Sequence, residues 1–175
     1  AGTDPRGARF AAPRGSRIPV TVYEAEDFGR CGGAVVGPDF TAYTDTIHLG
    51  TEASQRKACT LAPRSAEAVT IKLTAPTNAF RVRYSIPDAQ AGGGTRDALS
   101  VAVNGAPAFD VTLTSEFSYY YGSYPFTNNP SAGKGHHFYD EVYVRLNGTA
   151  PAGATVVLAH GSSTLALAPP LPGCR

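Results

Sequence analysis

Glu24 and Glu26, in the stretch VYEAEDF, are the first residues of this 175-residue chain whose types and spacing could do chemistry. On an extended strand, positions i and i+2 point the same way, so the two carboxylates would face one side about 6–7 Å apart. Such a pair repels itself unless something positive sits between them. A calcium ion is a natural solution, because it takes roughly six to eight oxygens and favours carboxylates. Two acids do not complete such a site, and further oxygens must come from elsewhere. The competing reading is an exposed edge with two solvated glutamates.

The second candidate is the segment FSYYYGSYPFTNNPSAGKGHHFYDEV, residues 117–142. It carries Tyr119, Tyr120, Tyr121, Tyr124 and Phe126 between Gly, Ser, Pro and Asn. Strict strand alternation buries only every second ring, so part of the run must face solvent. Exposed rings on a rigid turn suit sugars, whose C–H faces stack while their hydroxyls bond nearby polar groups. Asn128, Asn129, Lys134, His136 and His137 supply donors and acceptors in the same segment. The competing reading is a packed loop wrapping one end of the fold, with Tyr121, Phe126 and Phe138 as a satellite core.

HHFYDE also invites an enzyme reading, since His and Tyr can exchange protons with a sugar. His137 and Asp140 are three apart, however, and on a strand they face opposite sides. Adjacent histidines likewise point apart. The sequence has no GxSxG, and AQAGGGTRD lacks the Lys-Ser/Thr ending of a phosphate loop, so it reads as a mobile connection.

The elements that position these residues follow from composition and period. Fifteen basic and fourteen acidic groups leave a formal net charge of +1, which gives no electrostatic reason to expect nucleic acid or an anionic membrane. No run of 18 apolar residues is present. Glycine (19) and proline (14) are plentiful, which suits short strands and many turns. The first residue is Ala rather than Met, and a processed start fits export. In that setting two of the three cysteines are expected to pair. Cys31 with Cys59 is the first choice; capture of one of them by Cys174, and free buried thiols, are the alternatives.

Strand period recurs along the chain. IPVTVYEAED, KACTLAP, EAVTIKLTAP, NAFRVRYSIP, ALSVAVNG, APAFDVTL, FYDEVYVRL, ATVVLAH and STLALA each read as a short strand, with turns every 8–12 residues. NGTAPAG is read as the turn between FYDEVYVRL and ATVVLAH. Asn104-Gly105 between alternating runs predicts a hairpin, because both residues accept positive φ. The fold expected is an all-β, two-sheet sandwich of the jelly-roll kind. Residues 1–19, with Arg6, Arg9, Arg14 and Arg17, read as a flexible arm. Residues 20–168 form the sandwich and 169–175 a tail.

VYEAEDF, RVRYSIPDA, LSVAVNG and HHFYDEV, in that order, resemble carbohydrate-binding modules of the family 6/35/36 type. The closest likeness is to the β-sandwich module of bacterial α-1,3-glucanases (mycodextranase-like enzymes), over about residues 20–160. The resemblance implies a β jelly roll that binds glycans and holds a structural calcium through Glu24, Glu26 and an aspartate of the last strand. Here that strand reads TLALA, with Ala166 at the aspartate's place, leaving Asp27, Asp45 or a backbone carbonyl as substitutes. Tyr119 stands where similar modules often carry tryptophan.

The expectation is therefore a secreted, monomeric, non-catalytic module that binds polysaccharide, with α-1,3-glucan as first choice, and targets an attached or partner glycoside hydrolase. Tyr119, Tyr120, Tyr121, Tyr124, Asn128, Asn129, His136 and His137 would be the contact residues. The alternatives are a small lyase or hydrolase using His/Tyr of residues 119–140, or a protein-interaction domain.

Overall fold

A computed structural model describes residues 20–27, 29–40, 50–62, 65–106, 109–160 and 165–168. Asp45, Cys174, the basic arm and the tail lie outside the described residues. Among the described residues there are eleven strands: β1 Ala34–Val36, β2 Ala58–Leu61, β3 Ala68–Lys72, β4 Thr77–Ser85, β5 Arg96–Val103, β6 Phe109–Thr114, β7 Tyr119–Tyr121, β8 Gly135–His137, β9 Asp140–Ala150, β10 Thr155–His160 and β11 Leu165–Ala168. They form a five-stranded sheet, β1-β2-β11-β4-β9, a four-stranded sheet, β3-β10-β5-β6, and the hairpin β7-β8. The expected all-β sandwich is the fold.

Alternation makes the core. Val69 and Ile71 of β3, Leu99 and Val101 of β5, Leu113 of β6, and Val156 and Leu158 of β10 face Val82, Tyr84 and Val144 of the other sheet. Each fully buried aliphatic side chain contributes about 1.5–3 kcal/mol through removal from water. The Tyr84 hydroxyl crosses the core to donate to the Thr114 carbonyl at 2.9 Å, so its one polar atom is satisfied. Cys31 pairs with Cys59, as expected. Cys31 bridges to Val69 of the four-stranded sheet and Cys59 lies in β2 of the other, so the disulfide ties the two sheets together.

The Asn104-Gly105 hairpin is present between β5 and β6, with φ of 52° and 71° at the two residues. Two readings need correction. β9 continues through Asn147–Ala150, which the pattern assigned to a turn, and Thr77 of β4 pairs with Ala150 across an irregularity. Val20–Glu24 is not part of a sheet ladder, and Ala25–Asp27 turns. This segment is instead tied at Tyr23, whose hydroxyl meets Thr74 Oγ1 at 2.9 Å and accepts the Thr74 N–H at 2.8 Å.

Candidate functional site

The aromatic segment folds as the antiparallel hairpin β7-β8, with Tyr119 opposite His137, Tyr120 opposite His136 and Tyr121 opposite Gly135. Alternation divides the rings as the period requires: Tyr119 and Tyr121 are buried, while Tyr120 is 45% exposed. The Tyr119 hydroxyl donates to the Ile86 carbonyl at 3.3 Å. Burial first, and then the nearby Asp88 charge, push its pKa up to about 12. The Tyr121 hydroxyl donates to Asp88 Oδ2 at 2.7 Å and accepts the Gly93 N–H at 2.9 Å. Asp88 Oδ1 takes the N–H groups of Ala89 and Gly94, both at 2.8 Å. The glycine-rich loop is thus held by one carboxylate and one phenol rather than left free.

The adjacent histidines do point apart. His136 Nε2 hydrogen-bonds the Gly122 carbonyl at 2.7 Å and its ring lies 4.1 Å from Phe126. His137 Nε2 hydrogen-bonds Ser85 Oγ, and its ring meets Tyr119 and Tyr139 edge-on. Both are buried. Burial, aided by the Arg83 charge, lowers the His137 pKa to about 4, so it is neutral at physiological pH. Tyr119, Tyr121, His136 and His137 hold the hairpin from inside; as placed, none presents a face for a ligand or a base for a substrate.

The outward residues are others of the expected set. Tyr124 is 88% exposed and stands edge-on to Phe126, and Tyr120 packs edge-on to Phe138. Asn128 and Asn129 are exposed, and Asn129 Oδ1 accepts the Ser131 N–H at 3.0 Å at the head of a short 3-10 turn, Pro130–Ala132. Tyr120, Tyr124, Asn128 and Asn129 are therefore the accessible members of the expected contact set.

Glu24 and Glu26 sit at the turn that leaves Tyr23. Ser54 Oγ donates to Glu24 Oε1 at 3.4 Å. Glu24 Oε2 and both carboxylate oxygens of Glu26 are buried with no hydrogen-bond donor among the described residues. Burial is the main reason that Glu26 rises to about 7, with the charges of Glu24 and Asp27 adding to it; Glu24 is raised for the same leading reason. Asp27 is engaged by Arg30 at 2.7 Å, and Ala166 of β11 lies in register with Ser85 and Thr60. Among the described residues, no three His, Cys, Asp or Glu side chains cluster as metal ligands.

A buried polar group on β4 was hidden in the sequence. β4 alternation put Arg83 on the same face as Arg81, yet Arg83 is 6% exposed. Its Nη2 donates to the Glu52 carbonyl at 3.0 Å, and its guanidinium lies 5.0 Å from the centre of the Tyr139 ring. Only the tertiary covering of that sheet face by residues 50–57 and Tyr139 explains the burial.

Residues 17–167 match the family model of the α-1,3-glucanase catalytic domain D1. The chain belongs to this family. Solved chains share the D1 fold: the Agl-KA catalytic domain, at 25% identity and a TM-score of 0.73, and the catalytic unit of a thermostable GH87 α-1,3-glucanase from Streptomyces thermodiastaticus strain HF3-3, at 32% identity and 0.68. A third, the catalytic domain of a GH87 α-1,3-glucanase in complex with nigerose, gives 24% and 0.72 and supports the fold alone. The chain is covered to 89%, 89% and 93% by these matches but spans only 28%, 26% and 30% of those chains. No curated protein matches.

D1 membership corrects the functional expectation. The motifs that suggested a carbohydrate-binding module of the 6/35/36 type belong instead to a domain of a glucanase catalytic unit, so neither the non-catalytic module nor the non-enzyme reading stands. β-Sandwich scaffolds of unrelated roles share strand motifs, and strand motifs report the scaffold before they report the job.

Proposed function

We propose that this chain is the β-sandwich part of the catalytic unit of a secreted bacterial α-1,3-glucanase, a glycoside hydrolase that cleaves α-1,3-linked glucan. The observation that carries this is the family match over residues 17–167, which is to a domain of the catalytic unit itself. The inter-sheet disulfide suits an enzyme that works outside the cell.

Glycoside hydrolysis commonly uses two carboxyl groups that flank the scissile bond, one as acid and one as base or nucleophile. Glu24 and Glu26 are too enclosed to reach a polymer, and the His/Tyr set of the hairpin is interior. The chemistry is therefore assigned to the assembled unit, of which the chain forms between 26% and 30% in the relatives named above. This domain contributes a rigid frame and an edge along which glucan runs. Tyr120 and Tyr124 are the rings on that edge, with Asn128 and Asn129 beside them to meet hydroxyls.

A calcium ion held by Glu24 and Glu26 belongs to the same proposal. Three buried carboxylate oxygens without donors fit a hard cation, which would neutralise the pair and anchor the Tyr23–Asp27 turn against the Ser54 segment. The ion's part is structural, and no step of hydrolysis runs through it.

The test is reducing-end release by the full-length enzyme from insoluble α-1,3-glucan, with dextran and starch alongside. Release from α-1,3-glucan above the other two supports the proposal. Equal release from all three, or release only from dextran or starch, overturns the substrate.

A further inference from the structure

A cleft of about 470 Å3 opens on the side of the domain formed by Phe40 and residues 51–56. Nothing in the aromatic hairpin contributes to it. We propose that this cleft is a separate subsite for one or two glucose units of an α-1,3-glucan chain, with Phe40 as the ring on which a pyranose lies; this rests on the proposed glucan substrate.

The lining has the required chemistry. Phe40 is 74% exposed even though the Arg56 guanidinium sits 5.3 Å from its ring centre. Its hydrocarbon ring suits the C–H face of a sugar. Thr51, Glu52, Gln55 and Arg56 surround it with hydroxyl, carboxylate, amide and guanidinium groups that can meet sugar hydroxyls as donors and acceptors. A rim carrying one acid and one base together favours a neutral ligand over an anionic one.

The backbone is held in a form these residues do not prefer. Gln55 and Arg56 have φ of 49° and 58°, consecutive left-handed positions that glycine or asparagine would fill at less cost. Their neighbours over-determine that shape. Arg56 N–H donates to the Ala53 carbonyl at 3.1 Å and Lys57 N–H to the Ser54 carbonyl at 3.1 Å. Asp39 N–H donates to the Arg56 carbonyl at 2.9 Å, which fixes the Phe40 segment to the turn. From beneath, buried Arg83 donates to the Glu52 carbonyl at 3.0 Å. Gly37 and Gly50 allow the close approach, since a Cβ on either would come within 2.2 Å or 2.7 Å of the Arg56 carbonyl oxygen. Strain kept in place by so many contacts collects at functional sites. Here it aims two long donor-bearing side chains beside an exposed ring, ready before a ligand arrives.

The experiment titrates the 175-residue chain with nigerose, the α-1,3-linked glucose disaccharide, and follows backbone amides by 15N NMR. Saturable shifts at Phe40, Thr51, Glu52, Gln55 and Arg56 are expected, and Phe40→Ala should remove them without unfolding so exposed a site. Gln55→Gly relieves the left-handed backbone, so it should hold or raise Tm while weakening binding about 2–10-fold through one lost hydrogen bond. Absence of shifts, shifts confined to Tyr120 and Tyr124, or parent-like binding by both variants would overturn the subsite. Hydrolysis of α-1,3-glucan by the full-length enzyme is measured in parallel. Hydrolysis with a silent cleft removes the subsite alone, whereas loss of both removes the glucan assignment beneath it.

Discussion

Tyr121 donates its phenol hydrogen to Asp88 Oδ2 at 2.7 Å, joining the aromatic hairpin to the glycine-rich loop 33 residues away in sequence. The same oxygen of Tyr121 accepts the Gly93 N–H, and the other Asp88 oxygen accepts two more backbone donors. One phenol and one carboxylate thus shape the end of the sandwich that carries the exposed rings. Tyr121→Phe removes the bond and leaves the Gly93 N–H and Asp88 short of a partner. A loss of about 1–3 kcal/mol is expected in urea unfolding, with faster amide exchange at Gly93 and Gly94. Unchanged stability and exchange would show that the loop is held by other means.

Tyr120→Ala and Tyr124→Ala test the proposed glucan edge. An exposed ring that stacks on sugar contributes about 0.5–1.5 kcal/mol, so each change should lower kcat/KM on polymeric α-1,3-glucan about 2–10-fold while Tm stays put. A fall in Tm with parent-like turnover would assign these rings to packing.

His137 makes the fold acid-sensitive in a defined window. It titrates near 6.5 when unfolded and near 4 when folded. Between those values the unfolded chain binds more protons, so this residue's stabilisation is complete above pH 6.5 and is lost as pH falls towards 4. Glu26 works oppositely in the metal-free chain. Its raised folded pKa, about 7, means that the unfolded state releases its proton first, so stability falls as pH rises from about 4.5 to 7. The two trends overlap, and the parent alone will not separate them. His137→Gln keeps a partner for Ser85 but does not titrate. The stability of the parent relative to this variant should drop by on the order of 3 kcal/mol between pH 7 and 4. A constant difference across that range would refute the assignment to His137.

Calcium should raise Tm, and more so at pH 8 than at pH 5.5, because the ion must compete with a proton on Glu26 below about pH 7. Glu26→Gln should abolish the calcium response. An identical melt with calcium and with chelator at pH 8 would remove the ion from the account.

Period and turn chemistry made much of the fold legible. β3, β5, β6 and β10 follow the alternation read from the sequence, and Asn104-Gly105 marked its hairpin because positive φ at both residues has few other sequence solutions. Alternation said that only part of the Tyr119–Tyr121 run faces solvent but not which part: all three were expected as contact residues, and Tyr119 and Tyr121 are buried. What period cannot report is covering by distant chain. Arg83 reads as solvent-facing until residues 50–57 and Tyr139 close over it, and the histidines look available until Ser85 and Gly122 take them. The Phe40 cleft gave no signal, since GTEASQRK is an ordinary polar loop whose left-handed pair appears only in three dimensions. Function was misread for a related reason: the motifs report a sandwich, and a sandwich serves equally as a detachable module or as part of a catalytic unit.

Deletion of the domain decides between an integral part of the catalytic unit and a detachable module. The full-length enzyme, with and without residues 20–168, is assayed on a short soluble α-1,3-gluco-oligosaccharide and on the insoluble polymer. A domain integral to the catalytic unit predicts that deletion abolishes hydrolysis of both substrates. Undiminished cleavage of the soluble oligosaccharide, with loss only on the polymer, would contradict the account.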